Sequence, residues 1–290
     1  MSTIHISNPA RTAGIIEQYQ FRFQKKFGQN FLIDDHIIEK IIDAAEIGPD
    51  DVVVEIGPGI GTLTERLLER AYHVLAVEID SNLIPILEET LSPFSNKTIL
   101  NADVLKVDLK AEVDKIRKGA KIKVVANLPY YITTPIVMEL LEGDVDFSSI
   151  TIMIQKEVAD RMSVGPGTKD YGALSLAVQY YCKPQFVTVV SRHCFMPEPN
   201  VDSAVITLKK YDQKPIQVED DKFMFRVIRA SFAQRRKTLA NGIGNAADLP
   251  ITKQQTMEVL ASLGMNESIR GETLTLEEFA RLSDALKKLV

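Results

Sequence analysis

Glycines and carboxylates placed where successive predicted strands end could together bind a nucleoside-like ligand. Residues 55–61 (EIGPGIG) follow a β-branched run, and Gly57 and Gly59 permit a tight turn with a ligand close to the backbone. Glu78 ends the second predicted strand, where a carboxylate can accept hydrogen bonds from both ribose hydroxyls. Asp103 follows the third strand and could accept a hydrogen bond from an adenine amino group. Because nicotinamide and flavin folds also use glycine-rich loops, the two carboxylates are what indicate a nucleoside cofactor.

A tetrapeptide at the end of the fourth predicted strand carries groups that could take part in a reaction. Asn127, Leu128, Pro129 and Tyr130 would be ordinary as a turn, since Asn and Pro favour turns. At the carboxyl end of a central strand, however, they resemble the catalytic motif of methyltransferases that act on the adenine amino group in nucleic acids. The resemblance implies S-adenosylmethionine as the cofactor, with Asn127 contributing to catalysis and to cofactor binding.

The chemistry of that reaction explains why an Asn is sufficient. The lone pair of the exocyclic adenine nitrogen is delocalised into the ring, so the site must favour the pyramidal nitrogen. The side-chain oxygen of Asn127 and the carbonyl of Leu128 could accept hydrogen bonds from the amino group and orient it for in-line attack. No strong base is needed, because the ammonium-like product readily loses its proton. Tyr130 would offer a stacking face to a base flipped out of its helix.

The segment 195–203 (FMPEPNVDS) could supply a second aromatic face. Its prolines restrict the backbone, so Phe195 could be held outward at a low entropic cost. An aromatic residue in such a loop is equally often an anchor in the core. The F-x-P-x-P-x-V-D-S pattern matches the base-clamping loop of ribosomal RNA adenine dimethyltransferases, and this resemblance favours a catalytic role for Phe195.

The elements that must position these residues alternate along the chain. Strands are predicted at 52–56, 73–78, 97–100, 121–127 and 151–155, and strands at 186–191 and 203–210 are expected to pair at one edge. The pattern predicts an α/β fold with a Rossmann-like methyltransferase sheet, mostly parallel with an antiparallel edge. Beyond it, helices are predicted at 222–243, 252–263 and 276–289. We therefore predict a methyltransferase domain at 1–212, with an N-terminal extension at 1–21, and a small all-helical RNA-positioning domain at 213–290.

Five motifs, in order along nearly the whole chain, resemble those of the bacterial small-subunit ribosomal RNA adenine N6,N6-dimethyltransferases. The first is residues 26–32 (KFGQNFL), which implies that Asn30 and Leu32 contact the cofactor. The last is residues 230–239 (ASFAQRRKTL), which resembles the small-subunit enzymes specifically. Asn30, where many relatives carry His, and an extended N-terminal segment depart from the family pattern, and the role of residues 1–20 stays open.

The resemblance implies methyl transfer to N6 of two adjacent adenosines near the 3′ end of 16S rRNA, giving N6,N6-dimethyladenosines late in 30S subunit assembly. The implied partner is 16S rRNA within the 30S subunit or its precursor, and the implied oligomeric state is a monomer. The first alternative is a macrolide-resistance methyltransferase, which shares the catalytic motifs but acts on large-subunit RNA. The second is a methyltransferase-fold assembly factor, although the intact glycine loop and tetrapeptide favour an enzyme. A nicotinamide oxidoreductase would need a hydride-transfer acid–base pair, and none is evident near the crevice.

Basic residues of the predicted helical domain could position RNA. The candidates are Lys222, Arg226, Arg229, Arg235, Arg236 and Lys237. Lys222, Arg226, Arg229 and Arg236 recur at spacings of 4, 3 and 7, which predicts one face of a single helix. A charge run is usually a solvated face, but residues 222–237 contain no acidic residue, which favours phosphate contacts that position RNA without reading its sequence.

The composition predicts a cytoplasmic protein without a membrane segment or a metal site. A net charge of −5 argues against non-specific coating of nucleic acid but leaves room for local basic surfaces. The N-terminus lacks a basic segment followed by an apolar stretch, and no apolar run approaches the ~18 residues of a membrane span. Cys182 and Cys194 are expected to be buried thiols, and the scattered histidines lack metal-ligand spacing.

Overall fold

Strands and helices alternate through the first part of the chain, as the sequence predicts. The computed structural model describes residues 5–290, the side chain of Lys25 excepted. The elements up to residue 163 are α1 (Pro9–Gln18), β1 (Phe31–Leu32), α2 (Asp35–Ala45), β2 (Val52–Ile56), α3 (Thr62–Leu68), β3 (His73–Glu78), α4 (Ile84–Thr90), β4 (Lys97–Asn101), α5 (Leu109–Ile116), β5 (Ile122–Asn127), α6 (Thr133–Glu142), β6 (Phe147–Gln155) and α7 (Lys156–Ser163).

The rest of the chain contributes three more strands and then only helices. These elements are α8 (Ala173–Tyr181), β7 (Cys182–Val190), β8 (Phe195–Met196), β9 (Ser203–Lys210), α9 (Asp221–Ala233), α10 (Leu239–Gly244), α11 (Lys253–Ser262) and α12 (Leu276–Lys287). None of the helices among residues 5–290 combines the length and the apolar character needed to cross a bilayer.

One sheet of seven strands organises the described chain, in the order β4-β3-β2-β5-β6-β9-β7. Strands β2 to β6 pair in parallel, β9 runs antiparallel to β6, and β7 lies beside β9 at the edge. The predicted α/β sheet, mostly parallel with an antiparallel edge, is therefore confirmed. The strand order reverses between β2 and β5, and open α/β sheets bind ligands at such a point, beyond the carboxyl ends of the strands.

The central strands are buried on both faces of the sheet, which explains why their sequences are continuous runs of apolar residues. All five residues of β2 are buried, Glu55 among them. Helix α2 covers part of the sheet with Ile38, Ile41 and Ile42, whose spacing places them on one helical face. The sequence analysis did not identify α1, α2, α5 or α8, nor the short pairing of β1 with β8.

Contacts divide the chain into two compact units. The first comprises the described residues up to Ala159 together with Pro184–Lys210, and the second comprises Asp160–Lys183 and Tyr211–Val290. The division at residue 212 that the sequence suggested stays a prediction. The two compact units differ from the predicted domains mainly because residues 160–183 group with the C-terminal helices.

The single helix predicted for residues 222–243 is wrong, because the chain leaves helical geometry between α9 and α10. Gln234, which follows α9, has φ −130° and ψ 69°. Thr238 then caps α10, its hydroxyl oxygen accepting a hydrogen bond from the N–H of Asn241 at 3.4 Å. Helix α10 folds back so tightly that a Cβ on Gly242 would lie 2.6 Å from the carbonyl oxygen of Ala230. Both helices share one apolar periodicity, so the sequence pattern did not show the break.

The other two predicted helices form as α11 and α12, and local capping fixes where each begins. Thr252 caps α11 and exchanges hydrogen bonds with Gln255, three residues further on. Thr275 and Glu278 exchange hydrogen bonds in the same way and form a capping box at the start of α12.

Candidate active site

A pocket of about 1030 Å³, including its open mouth, lies at the carboxyl ends of β2, β3 and β5. The residues predicted for cofactor binding and for catalysis all border it: Asn30, Leu32, Gly57, Gly59, Glu78, Asp103, Asn127, Leu128, Pro129, Tyr130 and Phe195. Residues from motifs far apart in the chain therefore converge at the switch point of the sheet, where the fold class places a ligand.

The glycine loop after β2 has the geometry that its glycines allow. Gly57 and Gly59 have φ of 69° and 63°, in the left-handed region that other residues rarely adopt. A Cβ on Gly59 would also lie 3.0 Å from the ring of Phe31. The N–H of Gly59 donates to Oε2 of Glu78 at 3.2 Å, which ties the loop to the carboxylate at the end of β3.

Glu78 is held in place by backbone donors and is almost entirely buried. Its Oε1 accepts a hydrogen bond from the N–H of Asp80 at 2.8 Å. Burial raises the pKa of Glu78 to about 7, and the hydrogen bonds from the N–H groups of Asp80 and Gly59 oppose that rise. Each carboxylate oxygen has a second lone pair, so two ribose hydroxyls could still donate to Glu78.

The end of the pocket near Asp103, where the sequence predicts the adenine, contains residues that the sequence analysis missed. Asp103 accepts a hydrogen bond from the N–H of Leu105 at 3.1 Å and borders the pocket as predicted. Ile79 and Tyr131 also line it, although their side chains are 43% and 56% exposed. Large apolar side chains left open at a pocket mouth suit a flat aromatic ligand. The apolar residue after a strand-ending Glu was the available signal for Ile79.

A hydrogen-bonded segment covers the pocket beside Glu78. The buried carboxylate of Asp80 accepts hydrogen bonds from Nε2 of Gln29 at 2.7 Å and from Nε2 of Gln24 at 3.0 Å. A Cβ on Gly28, which has φ 57°, would lie 3.5 Å from the ring of Tyr131. Gln29 of the motif at residues 26–32 is therefore held by Asp80, two residues after Glu78, and Gly28 lies close to Tyr131 of the pocket wall. Sequence reasoning identified neither Asp80 nor the two glutamines as partners.

Asn127 has its side-chain amide oriented by one hydrogen bond. Its Nδ2 donates to the backbone carbonyl of Asn30 at 3.0 Å. Because a carbonyl can only accept, this bond places Oδ1 on the opposite side of the amide. Among the residues that the structure describes, no donor reaches Oδ1 or the carbonyl oxygen of Leu128. Two adjacent acceptors at the end of β5 can therefore receive an amino group.

The prediction that Phe195 is held outward is wrong. Its side chain is only 4% exposed and belongs to the core, because β8 pairs with β1 and sets Phe195 opposite Leu32. Burying an aromatic ring is strongly favourable, and this gain exceeds the small entropic benefit of a rigid exposed loop. The ring still borders the pocket that contains Asn127 and Tyr130.

Glu55 gives the pocket an unpartnered buried acid. Its side chain is 1% exposed, and its Oε2 has no hydrogen-bond partner among the described residues. Burial raises the pKa of Glu55 to about 8, the neighbouring Thr64 hydroxyl opposes the rise, and the Glu78 carboxylate adds to it. Since Glu55 borders the pocket, a positively charged ligand would supply the missing partner. S-adenosylmethionine, which carries a sulfonium and an ammonium group, fits this feature.

We expect the Glu55→Gln variant to show the cost of that buried acid through the pH dependence of stability. A raised pKa means that the folded protein holds the proton more tightly, so stability is lost as pH rises through about 8. Without cofactor, the melting temperatures of parent and variant should agree at pH 5. At pH 8 the variant should melt higher by at least about 2–4 °C. Parallel pH profiles would contradict this account, and Glu88→Gln on the exposed side of α4 is the control.

The basic residues predicted to bind RNA lie on two different elements, so the single helical face predicted for four of them is wrong. Lys222, Arg226 and Arg229 lie on α9, whereas Arg235, Arg236 and Lys237 form an exposed turn after it. Arg226 donates to the carbonyl of Asp248 at 3.1 Å, and Nη2 of Arg235 donates to the carbonyl of Tyr171 at 2.8 Å. Arg235 also pairs with Glu272 at 3.7 Å. Arg236 therefore does not lie on the predicted helical stripe with Lys222, Arg226 and Arg229. The exposed turn becomes the stronger candidate for RNA binding.

The fold and its nucleoside pocket define the protein as an S-adenosylmethionine-dependent methyltransferase. The family model for ribosomal RNA adenine dimethylase matches residues 20–288. The chain therefore belongs to the ribosomal RNA adenine dimethylase family.

Similar proteins agree with that membership. A ribosomal RNA small subunit methyltransferase A from Lachnoclostridium phytofermentans is 57% identical over 97% of this chain and 98% of its own. Its namesake from Bacillus cytotoxicus is 51% identical over 97% of each chain. The crystal structure of a dimethyladenosine transferase from Plasmodium falciparum has a TM-score of 0.70 and 28% identity, covering 87% of this chain and 95% of that one. The 23S rRNA methyltransferase ErmE has a TM-score of 0.62 and 27% identity, with coverage of 89% and 100%.

Proposed function

We propose that the protein dimethylates N6 of two adjacent adenosines near the 3′ end of small-subunit rRNA, on the 30S subunit or its precursor. The observation that carries the chemistry is the oriented amide of Asn127, which leaves two acceptors for an exocyclic amino group. The choice of subunit rests on relatives of more than half identity that bear the small-subunit name and on the motif at residues 230–239. The reaction takes place in the cytoplasm, and the enzyme acts as a monomer.

In the proposed mechanism, the protein orients the acceptor base and provides no strong base. S-adenosylmethionine supplies the methyl group. Oδ1 of Asn127 and the carbonyl of Leu128 accept the two amino hydrogens and favour the pyramidal nitrogen, whose lone pair then faces the methyl carbon. Tyr130 stacks on the flipped base, and Phe195 closes the wall beside it. Bound beside these residues, the cofactor would supply an activated methyl group to the amino nitrogen and would keep the sulfur electron pair, and the proton of the ammonium-like product passes to water.

Incubation of the protein with labelled cofactor and purified ribosomal subunits tests the choice of substrate. Small subunits from cells that lack the modification should take up close to four methyl groups each, two on each of two adenosines. Large subunits from the same cells should stay unlabelled. Preferential labelling of large subunits would favour the macrolide-resistance alternative, and no labelling of either, despite cofactor binding, would favour the assembly factor.

We expect Phe195→Leu to act mainly on binding of the acceptor base. Leu keeps most of the buried apolar surface but loses the part of the aromatic ring that borders the pocket. A full stacking face is worth ~1–3 kcal/mol per base, and a ring this buried offers only the lower end of that range, so the KM for small subunits should rise about 5-fold and the ratio of mono- to dimethyladenosine should increase. Steady-state kinetics with nucleoside mass spectrometry measure both. Phe147→Leu, at a buried position of β6, is the control for lost packing, and an unchanged KM in Phe195→Leu would remove Phe195 from the base site.

The exposed turn after α9 should position RNA through its charges. We expect the double variant Arg236→Ala/Lys237→Ala to bind small subunits more weakly and with a flatter salt dependence, by up to about 1–2 units of the log–log slope. Arg235 is kept because it holds the backbone of Tyr171. The double variant Lys110→Ala/Lys118→Ala removes two exposed cations of the first unit and should keep the parental slope. Equal slopes in all three proteins would show that the turn does not face the RNA.

A further inference from the structure

Ser203 ends the proline-rich segment and has no role in the mechanism above. Its side chain is fully buried, and its Oγ lies 2.7 Å from the phenolic oxygen of Tyr130. In the part of the chain that the structure describes, neither hydroxyl makes another side-chain hydrogen bond. The pair therefore joins the end of the proline-rich segment directly to the last residue of the catalytic tetrapeptide.

The backbone that carries Ser203 is fixed on both sides. Ser203 is the first residue of β9 and pairs with Gln155, the last residue of β6. The preceding Asp202 accepts a hydrogen bond at its carbonyl from the N–H of Lys156 at 3.1 Å. Its side-chain Oδ1 accepts another from the N–H of Arg192 at 3.0 Å. The backbone hydrogen bonds therefore hold Ser203 in a fixed position, from which its Oγ can orient a neighbouring side chain.

Tyr130, by contrast, is a partly buried side chain at the edge of an open pocket. Two torsions set the plane of a tyrosine ring, and packing on one face alone constrains them weakly. A hydrogen bond at the hydroxyl holds the end of the ring opposite its Cα and so fixes the first torsion. The phenolic oxygen lies on the axis of the second torsion, so the bond restrains the ring plane only through the preference of the O–H bond for that plane. A phenylalanine at residue 130 would offer the same stacking area without this anchor.

We propose that Ser203 is a positioning residue that fixes where the ring of Tyr130 lies and, through it, where the acceptor adenine stacks. This inference rests on the proposed function, because it takes Tyr130 as the stacking face. Unmodified adenine has two amino hydrogens for the acceptors of Asn127 and Leu128, whereas N6-methyladenine has one. Stacking must then supply more of the orientation, so the anchor matters most for the second methyl transfer.

A double-mutant cycle tests the proposal, with the parent, Ser203→Ala, Tyr130→Phe and the double variant. Single-turnover reactions on unmethylated small subunits, followed by nucleoside mass spectrometry, give separate rates for the first and second methyl. Each single variant should slow the second transfer by about 3- to 10-fold, the effect of one net hydrogen bond. In Ser203→Ala the first transfer and the cofactor affinity should change less than twofold, and the double variant should carry out the second transfer no more slowly than the slower single variant.

Two further measurements distinguish a positioning role of Ser203 from a purely structural role. A third outcome shows whether the proposed function itself has failed. Thr207→Val removes another buried hydroxyl pair of β9, Thr207 with Thr151 of β6 at 3.0 Å, and should leave both methylation rates unchanged. Carbon-13 NMR of ring-labelled tyrosines, without any RNA, should show altered signals for Tyr130 in Ser203→Ala and not in Thr207→Val. If the parent methylates only large subunits, the proposed function fails and the cycle is measured there instead.

Three results would overturn the positioning role of Ser203. One is a parental ratio of mono- to dimethyladenosine in Tyr130→Phe. Another is a double variant whose loss of rate equals the product of the two single losses. Such independent effects would mean that the two residues do not act through their shared hydrogen bond. The third is an unchanged Tyr130 NMR signal in Ser203→Ala.

Discussion

Asn127→Ala is expected to slow the chemical step by about 10²–10³-fold, the usual loss when one oriented polar group is removed from a transition state. Oδ1 of Asn127 matters most as the amino nitrogen becomes pyramidal and gains positive charge. Binding of RNA and of cofactor should change little, since neither depends on that one acceptor. Rapid-quench single-turnover reactions at saturating cofactor measure the step directly.

A matched variant separates this effect from a general loss of stability. Asn96 is a structural residue whose Nδ2 donates to the carbonyls of Leu68 and Ala71 at 3.0 and 3.1 Å. Asn96→Ala should lower the melting temperature and keep the parental rate of methyl transfer. If Asn127→Ala retains a rate within a few-fold of the parent, the catalytic assignment of the tetrapeptide is wrong.

Glu78→Ala should weaken S-adenosylmethionine binding by about tenfold or more, since a hydrogen bond to a charged group contributes ~1.5–3 kcal/mol. The same change frees the N–H of Gly59, so the glycine loop loses its tie to β3. Calorimetry with cofactor measures the affinity. Glu78→Gln keeps one acceptor oxygen and should lose less, and Glu88→Ala on α4 should bind as the parent does. Unchanged affinity in Glu78→Ala would place the ribose elsewhere.

The pH dependence of cofactor binding follows from the same carboxylate. Because the pKa of Glu78 is raised to about 7, the acid takes up a proton as pH falls through neutrality. A protonated carboxyl accepts hydrogen bonds poorly, so parental affinity should fall between pH 8 and pH 6, and this dependence should be reduced in Glu78→Gln. An identical pH dependence of cofactor affinity in the two proteins would show that the ionisation of Glu78 does not control ribose binding.

Short motifs at strand ends were predictable because their positions are fixed by local sequence. The glycine loop, Glu78, Asp103 and the tetrapeptide each follow a β-branched run, and parallel strands bring their carboxyl ends to one edge. Nothing beyond the order of strands is needed to place these residues in one crevice. The mostly parallel sheet followed from the same alternation.

Features set by contacts between distant residues were not predictable in the same way. The burial of Phe195 depends on pairing with Leu32, more than 160 residues earlier, which no periodicity reveals. The role of Asp80 depends on hydrogen bonds from the amides of Gln24 and Gln29, which lie more than 50 residues earlier in the chain. In the sequence Glu55 is part of a loop motif, and only the structure shows that it is buried with its Oε2 unpartnered among the described residues.

The identity of the methylated atom tests the central claim most directly. After one reaction with isotopically labelled cofactor, small-subunit RNA is digested to nucleosides and analysed by mass spectrometry against synthetic standards. The two acceptors at Asn127 and Leu128 predict label only in N6-methyl- and N6,N6-dimethyladenosine, with the dimethylated form accumulating at completion. Label on a ring nitrogen of adenine, on its C2 carbon or on another base would contradict the account.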